Sequence, residues 1–373
     1  MRFIGSSSEW GWSMGMVREW SDGEGVGVVA LRRSFRLFLI ALAFVWSVKP
    51  SSAASPDDGF YRGKTIRLIV AFSAGGGYDT YSRTIARHLG KYIPGNPTVV
   101  VDNMTGAGGI IHANYMFKQA RPDGLTIGNN SGGLFLQQIM GAKGIEFDGK
   151  QFEYIGAPAV DHLTCAISKA SGVTSLDKWI ASKDAVRFGG VGPGGFASDL
   201  PRVLHAALGL PIKVIDGYKG TSDIRLATES GELAGSCLSW DSYKTTWRKA
   251  IETGDVNIII QVMPKKHPEL AHVPLAMDYA KTEEAKRLIQ HGAHDLAYSA
   301  RPYFLAPGTP KARVQVLRKA FADAVKDPEL LAEAKKANFA IDYVSGEELE
   351  SIVHGLYKIE PAFAAKMKQI LVP

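Results

Sequence analysis

Glycine recurs in this chain where a β-branched run gives way to a helical pattern, and such junctions can hold an anion. Four stand out: residues 73–79 (SAGGGYD), 129–133 (NNSGG), 190–198 (GVGPGGFAS) and 217–220 (GYKG). In a parallel α/β sheet, loops of this kind lie at the carboxyl ends of strands, where ligands bind. The helix that follows each loop offers unpaired N–H groups and the positive end of its dipole, which favour a negative ligand. Glycine matters because a side chain would hold the ligand away from the backbone. One such loop is explained well enough as a turn. Four, two in each half of the chain, predict a cleft.

Sharper motifs fail on inspection. Residues 144–150 (GIEFDGK) match the first seven positions of a P-loop, but Gln151 stands where Ser or Thr is required. The preceding residues 136–140 read as helix, not strand. Residues 106–109 (GAGG) resemble a dinucleotide fingerprint, yet Ile111 occupies the third-glycine position and no acidic strand end follows at the right distance. No G-x-S-x-G elbow occurs. His291 and His294 lie three apart without a third ligand, and His112, His162 and His205 are isolated. No pair of carboxylates and no nucleophile–base set emerges. The expectation is a chain with no catalytic residue, no metal and no cofactor.

The loops need elements to position them. From Gly59 onward, short β-branched runs alternate with segments of helical period, the pattern of α/β folds. Residues 65–72 (TIRLIVAF) read as a strand buried on both faces. Tyr81, Ile85, Leu89 and Ile93 form the apolar stripe of the next helix. Strands are predicted at 98–101, 125–128, 186–189 and 213–216, with helices from Leu134, over 199–208 and from Thr221. Thr309 and Pro310 predict an N-cap and N1 proline for a helix to about Val325. Ser345 and Glu348 form a capping box for the last helix.

With 373 residues, 46% hydrophobic and 21% charged, the chain has material for two globular domains. The apolar stretch 37–48 (LFLIALAFVWSV) is too short to span a bilayer comfortably. Arg32, Arg33 and Arg36 precede it, and Ser52 and Ala54 follow as small residues at a cleavage site after Ala54. This reads as a signal peptide in preference to an uncleaved anchor, with Arg32-Arg33 raising a twin-arginine route. Residues 1–31, with Trp10, Trp12 and Trp20, exceed what a leader needs, and point to a start codon chosen upstream of one near residues 28–31. Segment 1–54 is therefore set aside from the fold.

The net charge of +6 is not clustered and lacks interleaved aromatics, which argues against a nucleic-acid surface. Cys165 and Cys237 are too few for a disulfide framework; two buried thiols are favoured over a single bridge.

Phe60-Tyr61, followed by residues 70–79 (VAFSAGGGYD), resembles the opening of the tripartite tricarboxylate transporter receptors, the Bug family. Further landmarks follow in family order: VVDN (100–103) with GAGG (106–109), PDGLT (122–126), FLAPGTP (304–310) and KDP (326–328). Each is weak alone, but the ordered set is specific and runs from about Phe60 to the C-terminus.

The resemblance implies an α/β periplasmic-binding-protein fold of type II, two lobes with a hinge and an interlobe cleft. It implies one discontinuous domain of residues 60–158 plus 295–373, and an inserted domain of residues 159–294. It further implies an exported, non-enzymatic, monomeric solute-binding protein that closes on a small organic carboxylate. The partner would be a membrane permease of the tripartite tricarboxylate type, or alternatively a sensor kinase. An exported α/β enzyme using the same cleft is the less favoured reading. Carried over by position, the ligand contacts are Ser73, Ala74, Gly75, Gly76, Gly77, Tyr78, Asp79 and Thr80 from the first loop. The second supplies Asn129, Asn130, Ser131 and Gly132. The loop of the inserted domain supplies Gly192, Pro193, Gly194, Gly195, Phe196, Ser198 and Asp199, with Tyr218, Trp240 and Asp241 at the rim. Asp79 repels a carboxylate, so it is expected to cap its helix or to face a ligand hydroxyl, amine or water. Ser73-Ala74 replaces the family's two prolines, the 190–199 loop is longer than usual, and residues 281–294 replace a short Gly/Pro-rich stretch. Tyr78 and Tyr81 make an aromatic or longer-chain acid an option.

Overall fold

The computed structural model describes residues 59–372; the expected leader at 37–48 and its cleavage site at Ala54 lie outside them. No helix among the described residues is long and apolar enough to cross a membrane. The strands are β1 (Thr65–Val70), β2 (Thr98–Asn103), β3 (Thr126–Asn129), β4 (Glu153–Ala157), β5 (Leu163–Ser168), β6 (Val186–Gly189), β7 (Ile212–Ile215), β8 (Gly235–Ser239), β9 (Val256–Gln261), β10 (Tyr303–Leu305) and β11 (Val344–Ser345). They form two sheets, ordered β11-β4-β10-β3-β1-β2 and β7-β6-β8-β5-β9.

In the first sheet β1 pairs in parallel with β2 and β3, while β10 runs antiparallel between β3 and β4. In the second, β6 is parallel to β7 and β8, and β5 is antiparallel to β8 and β9. Each sheet is the core of one lobe. The chain passes from the first to the second between β4 and β5, and returns between β9 and β10.

The helices that matter for the site are α1 (Gly77–Leu89), α2 (Ile110–Lys118), α3 (Gly133–Ile139), α4 (Phe196–Leu208), α5 (Thr221–Glu229), α6 (Trp240–Thr246) and α7 (Lys311–Ala324). Their origin is legible. The stripe Tyr81, Ile85, Leu89 and Ile93 is fully buried, and each such side chain contributes roughly 1.5–3 kcal/mol of hydrophobic stabilisation. Helix α4 begins at Phe196, three residues before the expected start, because the Gly195 carbonyl accepts from the amides of Ser198 and Asp199. Part of the presumed loop is thus the first helical turn. Pro310 is the N-cap of α7, with Thr309 Oγ1 donating to the Ala306 carbonyl, one position off the expected register. Ser345 Oγ accepts from the Glu348 amide and caps the helix Gly346–Leu356, as expected, but that helix is not the last one: Pro361–Leu371 follows it.

The cysteine reading is corrected. Cys165 on β5 faces Cys237 on β8 in the antiparallel register, and the two form a disulfide. Sequence separation carries no information about cross-strand register, which is what brings the sulfurs together.

Candidate functional site

Three helix N-termini converge on one cavity. It is walled by Phe72, Tyr78, Asp161, Val191, Gly195, Phe196, Ala197, Gly220, Thr221, Ile224, Leu238, Ser239 and Ser242. Phe72 and Tyr78 belong to β1–α1 of the first lobe; Gly195, Phe196 and Ala197 open α4, and Gly220 and Thr221 open α5, in the second. The amides of Gly77, Tyr78, Phe196, Ala197 and Thr221, at the starts of these helices, have no backbone acceptor among the described residues. They are available to an anion. The cavity accepts water-sized groups over about 30 Å³, roughly two or three water positions. Its wall is mostly apolar, with Asp161, Thr221, Ser239 and Ser242 as the polar side chains beside Tyr78.

The lobes are closed upon each other by main-chain and side-chain bonds. Gly108 donates to the Val191 carbonyl at 3.0 Å and Ser73 to the Lys219 carbonyl at 3.0 Å. Ser73 Oγ donates to Asp223 at 2.6 Å, and Ser222 Oγ to the Ala74 carbonyl at 3.1 Å. A Cβ on Gly133 would lie 2.5 Å from the Gly194 carbonyl oxygen. Glycine is required there because two loop backbones from opposite lobes touch.

An ion pair not anticipated from the sequence sits at the crossings between the sheets. Arg301, just before β10, is 1% exposed and donates through Nε to Asp161 Oδ1 at 2.6 Å. Asp161 lies between β4 and β5. Arg301 Nη2 donates to Ser239 Oγ and Ser242 Oγ at 2.8 and 3.1 Å. The Tyr78 and Tyr81 rings flank the guanidinium, 4.6 and 4.4 Å from its centre. Burial pushes the Asp161 carboxyl above the ordinary range, against the pull of Arg301. Nothing in the residue types or spacing of Asp161 and Arg301 marks them in sequence, since they are 140 positions apart.

The expected contact residues divide into groups. Tyr78, Gly195 and Phe196 wall the cavity. Gly76 borders it, its hypothetical Cβ 3.6 Å from the Thr221 amide nitrogen, and a Cβ on Gly77 would collide with Ser242 Oγ. Ser73, Ala74, Gly192, Pro193 and Gly194 make lobe-to-lobe contacts beside the cavity. Asp79 turns back into its own loop: Oδ2 accepts from Gly75 N and Arg83, and Oδ1 from Asn103. Burial alone would raise its carboxyl, but those donors outweigh it and hold it below the usual range. Thr80 Oγ1 bonds the Gly76 carbonyl.

The second loop is committed to internal structure. Asn129 Nδ2 donates to the Pro302 carbonyl, Asn130 bonds His112 and the Gly109 carbonyl, Ser131 takes up the Gly133 amide, and Gly132 packs on Ser299. Ser198 Oγ donates to Asp216, and Asp199 accepts from Gly194 N and Gln137. Tyr218 donates to Glu232, Trp240 Nε1 to Glu269, and Asp241 accepts from Tyr81. Tyr81 is therefore a core residue against Arg301, not an aromatic surface for ligand. The other ten wall residues were not among the expected contacts: Phe72, Asp161, Val191, Ala197, Gly220, Thr221, Ile224, Leu238, Ser239 and Ser242. Val191, Ala197 and Gly220 lie within the glycine loops, and Phe72 and Thr221 flank them; the remaining five carried no such signal.

The family profile "Tripartite tricarboxylate transporter family receptor" matches residues 82–358. The "UPF0065 protein in tcbD-tcbE intergenic region" of Pseudomonas sp. (strain P51) is 26% identical over 301 residues, covering 80% of this chain and 83% of its own length. Among solved structures, the periplasmic binding protein BugD superposes with a TM-score of 0.68 at 22% identity, over 83% of this chain and 98% of that one. MatC from Rhodopseudomonas palustris, solved with malate, gives 0.64 at 18% identity, over 82% and 99%. An R. palustris protein solved with adipate gives 0.66 at 19%, over 83% and 97%. These likenesses establish the two-lobed binding-protein fold. With the profile spanning well over half its length, this chain belongs to the tripartite tricarboxylate transporter receptor family.

Proposed function

We propose that this chain is an extracytoplasmic receptor that captures a small organic carboxylate by lobe closure and delivers it to a permease of the tripartite tricarboxylate type. The carrying observation is the convergence of helix N-termini from both lobes on one cavity. In this reading the amides of Gly77, Tyr78, Phe196, Ala197 and Thr221 hold the carboxylate, while Phe72, Val191, Ile224 and Leu238 select the rest of the ligand. Residues 60–158 with 295–373 form one domain and residues 159–294 the other, in keeping with the two crossings between the sheets. Export is by the leader at 37–48, removed near Ala54. Malate and adipate in the structural neighbours support the ligand class.

Binding without turnover fits the chemistry of the wall. Ser239 and Ser242 bond each other and Arg301, so neither hydroxyl is paired with a base that would activate it. The test is a thermal-shift screen of the mature protein against mono-, di- and tricarboxylates. A ligand at about a hundred times its Kd stabilises the folded state by about 2.7 kcal/mol, and the melting temperature should rise by several degrees. No shift with any carboxylate, or turnover of one that binds, would sink the reading.

A further inference from the structure

The cavity wall holds a carboxylate with one oxygen unmet. Asp161 is 3% exposed and lines the cavity, whereas Arg301 does not. Oδ1 of Asp161 accepts from Arg301 Nε at 2.6 Å. Among the described residues, no donor bonds Oδ2. The neighbouring hydroxyls are turned elsewhere, since Ser239 Oγ donates to Ser242 Oγ at 2.9 Å and Tyr78 Oη to the Ala300 carbonyl at 2.8 Å. This oxygen is open to the cavity and has no protein donor, so water or a ligand must supply one.

We infer that Asp161 reads a hydrogen-bond donor on the ligand, so that the acid this receptor takes carries a hydroxyl, amide or ammonium group besides its carboxylate. The inference rests on the carboxylate reading above and narrows it. Arg301 cannot serve as a second anion anchor. Its Nη1 lacks a protein partner but is enclosed away from the cavity surface. Its other donors are taken by Asp161, Ser239 and Ser242, and both faces of the guanidinium are covered by tyrosine rings. A ligand therefore meets the acid of this pair, not the base. A second ligand carboxylate at this wall would face Asp161, with Asp241 adding to the negative charge felt there although Lys244 pairs with it at 3.2 Å. Like charges repel more strongly where little water lies between them. A donor there completes the carboxylate and strengthens with its desolvation.

Calorimetry on the unmodified mature protein distinguishes the classes with matched acids: butyrate, succinate, succinamate, γ-hydroxybutyrate and γ-aminobutyrate, and their longer homologues. A donor-bearing acid should bind at least about tenfold more tightly than both the plain acid and the dicarboxylate of its length. Which donor wins then names the class. In Asp161→Asn, that preference over the dicarboxylate should disappear. Because this change strands Arg301, the paired variant Asp161→Asn/Arg301→Gln is measured beside it and should show the same loss. A dicarboxylate bound by the unmodified protein as tightly as its donor-bearing counterpart overturns the inference and leaves the receptor reading standing. Failure of every acid to bind overturns both.

Discussion

Asp199 rests one oxygen on the Gly194 amide and on Gln137 Nε2, which reaches it from the other lobe. Its Oδ1 and the Oε1 of Gln137 are both buried without partners. Burial pushes the Asp199 carboxyl up to about 7, with Asp216 adding to the rise and Gln137, Gly194 and Arg202 opposing it. Protonation would supply the donor those two oxygens lack. An unfolded chain returns the group to about 3.9. The folded protein thus keeps a proton that the unfolded chain releases. Stability from this group is full below about pH 4, falls as pH rises toward 7, and levels off above. Asp199→Asn should remove that slope and raise stability at pH 8 by on the order of 2–4 kcal/mol, read from chemical denaturation at several pH values. An unchanged pH profile would show that folding does not shift the Asp199 carboxyl. At this scale the sequence was least legible. Glycine loops announced Tyr78, Gly195 and Phe196, but Asp161 and Arg301 are joined only by folding, and no spacing rule links them.

At the scale of elements, the sequence reading fared better because periodicity and caps are local. The buried stripe of α1, the Ser345 cap and the position of β6 follow from residue types within one or two turns. Boundaries drifted where the deciding contact was not local: α4 starts early because Gly195 in extended backbone frees its carbonyl for the first turn. The bridge between β5 and β8 was missed for the same reason. It closes a loop of 72 residues, and by chain entropy a loop of that size is stabilising by about 4 kcal/mol. Reduction should therefore lower the melting temperature of the unliganded protein substantially. Neither cysteine lines the cavity, although Leu238 and Ser239 just after Cys237 do. The β5–β8 ladder holds their backbone without the bridge, so ligand affinity measured well below that temperature should change less than about threefold. A large affinity loss on reduction would place the β5–β8 pair in the binding mechanism instead.

For the molecule as a whole, closure is a matter of glycine backbones. Gly133 faces the Gly194 carbonyl, and Gly108, at φ +63°, packs on the Gly192 and Pro193 carbonyls. Neither Gly108 nor Gly133 walls the cavity. Gly133→Ala should keep the lobes from meeting while leaving every wall residue intact, weakening ligand binding by about tenfold or more. Small-angle scattering should show the radius of gyration contract with ligand for the unmodified protein and not for the variant. Contraction in both would mean the lobes can meet without this contact. The two-lobed architecture was legible in the order of weak family landmarks, since those mark turns and helix starts that any such fold must retain.

The hydrogen bonds that latch the lobes, from Gly108 to Val191 and from Ser73 to Lys219, join main chain to main chain. Side-chain replacement cannot delete them. The residues that shape the apolar part of the cavity, such as Phe72, Ile224 and Leu238, form no part of either bond. Changes in what is recognised can therefore accumulate in these side chains while the grip itself is inherited intact, which makes this scaffold a natural starting point for redirecting a receptor to a new acid.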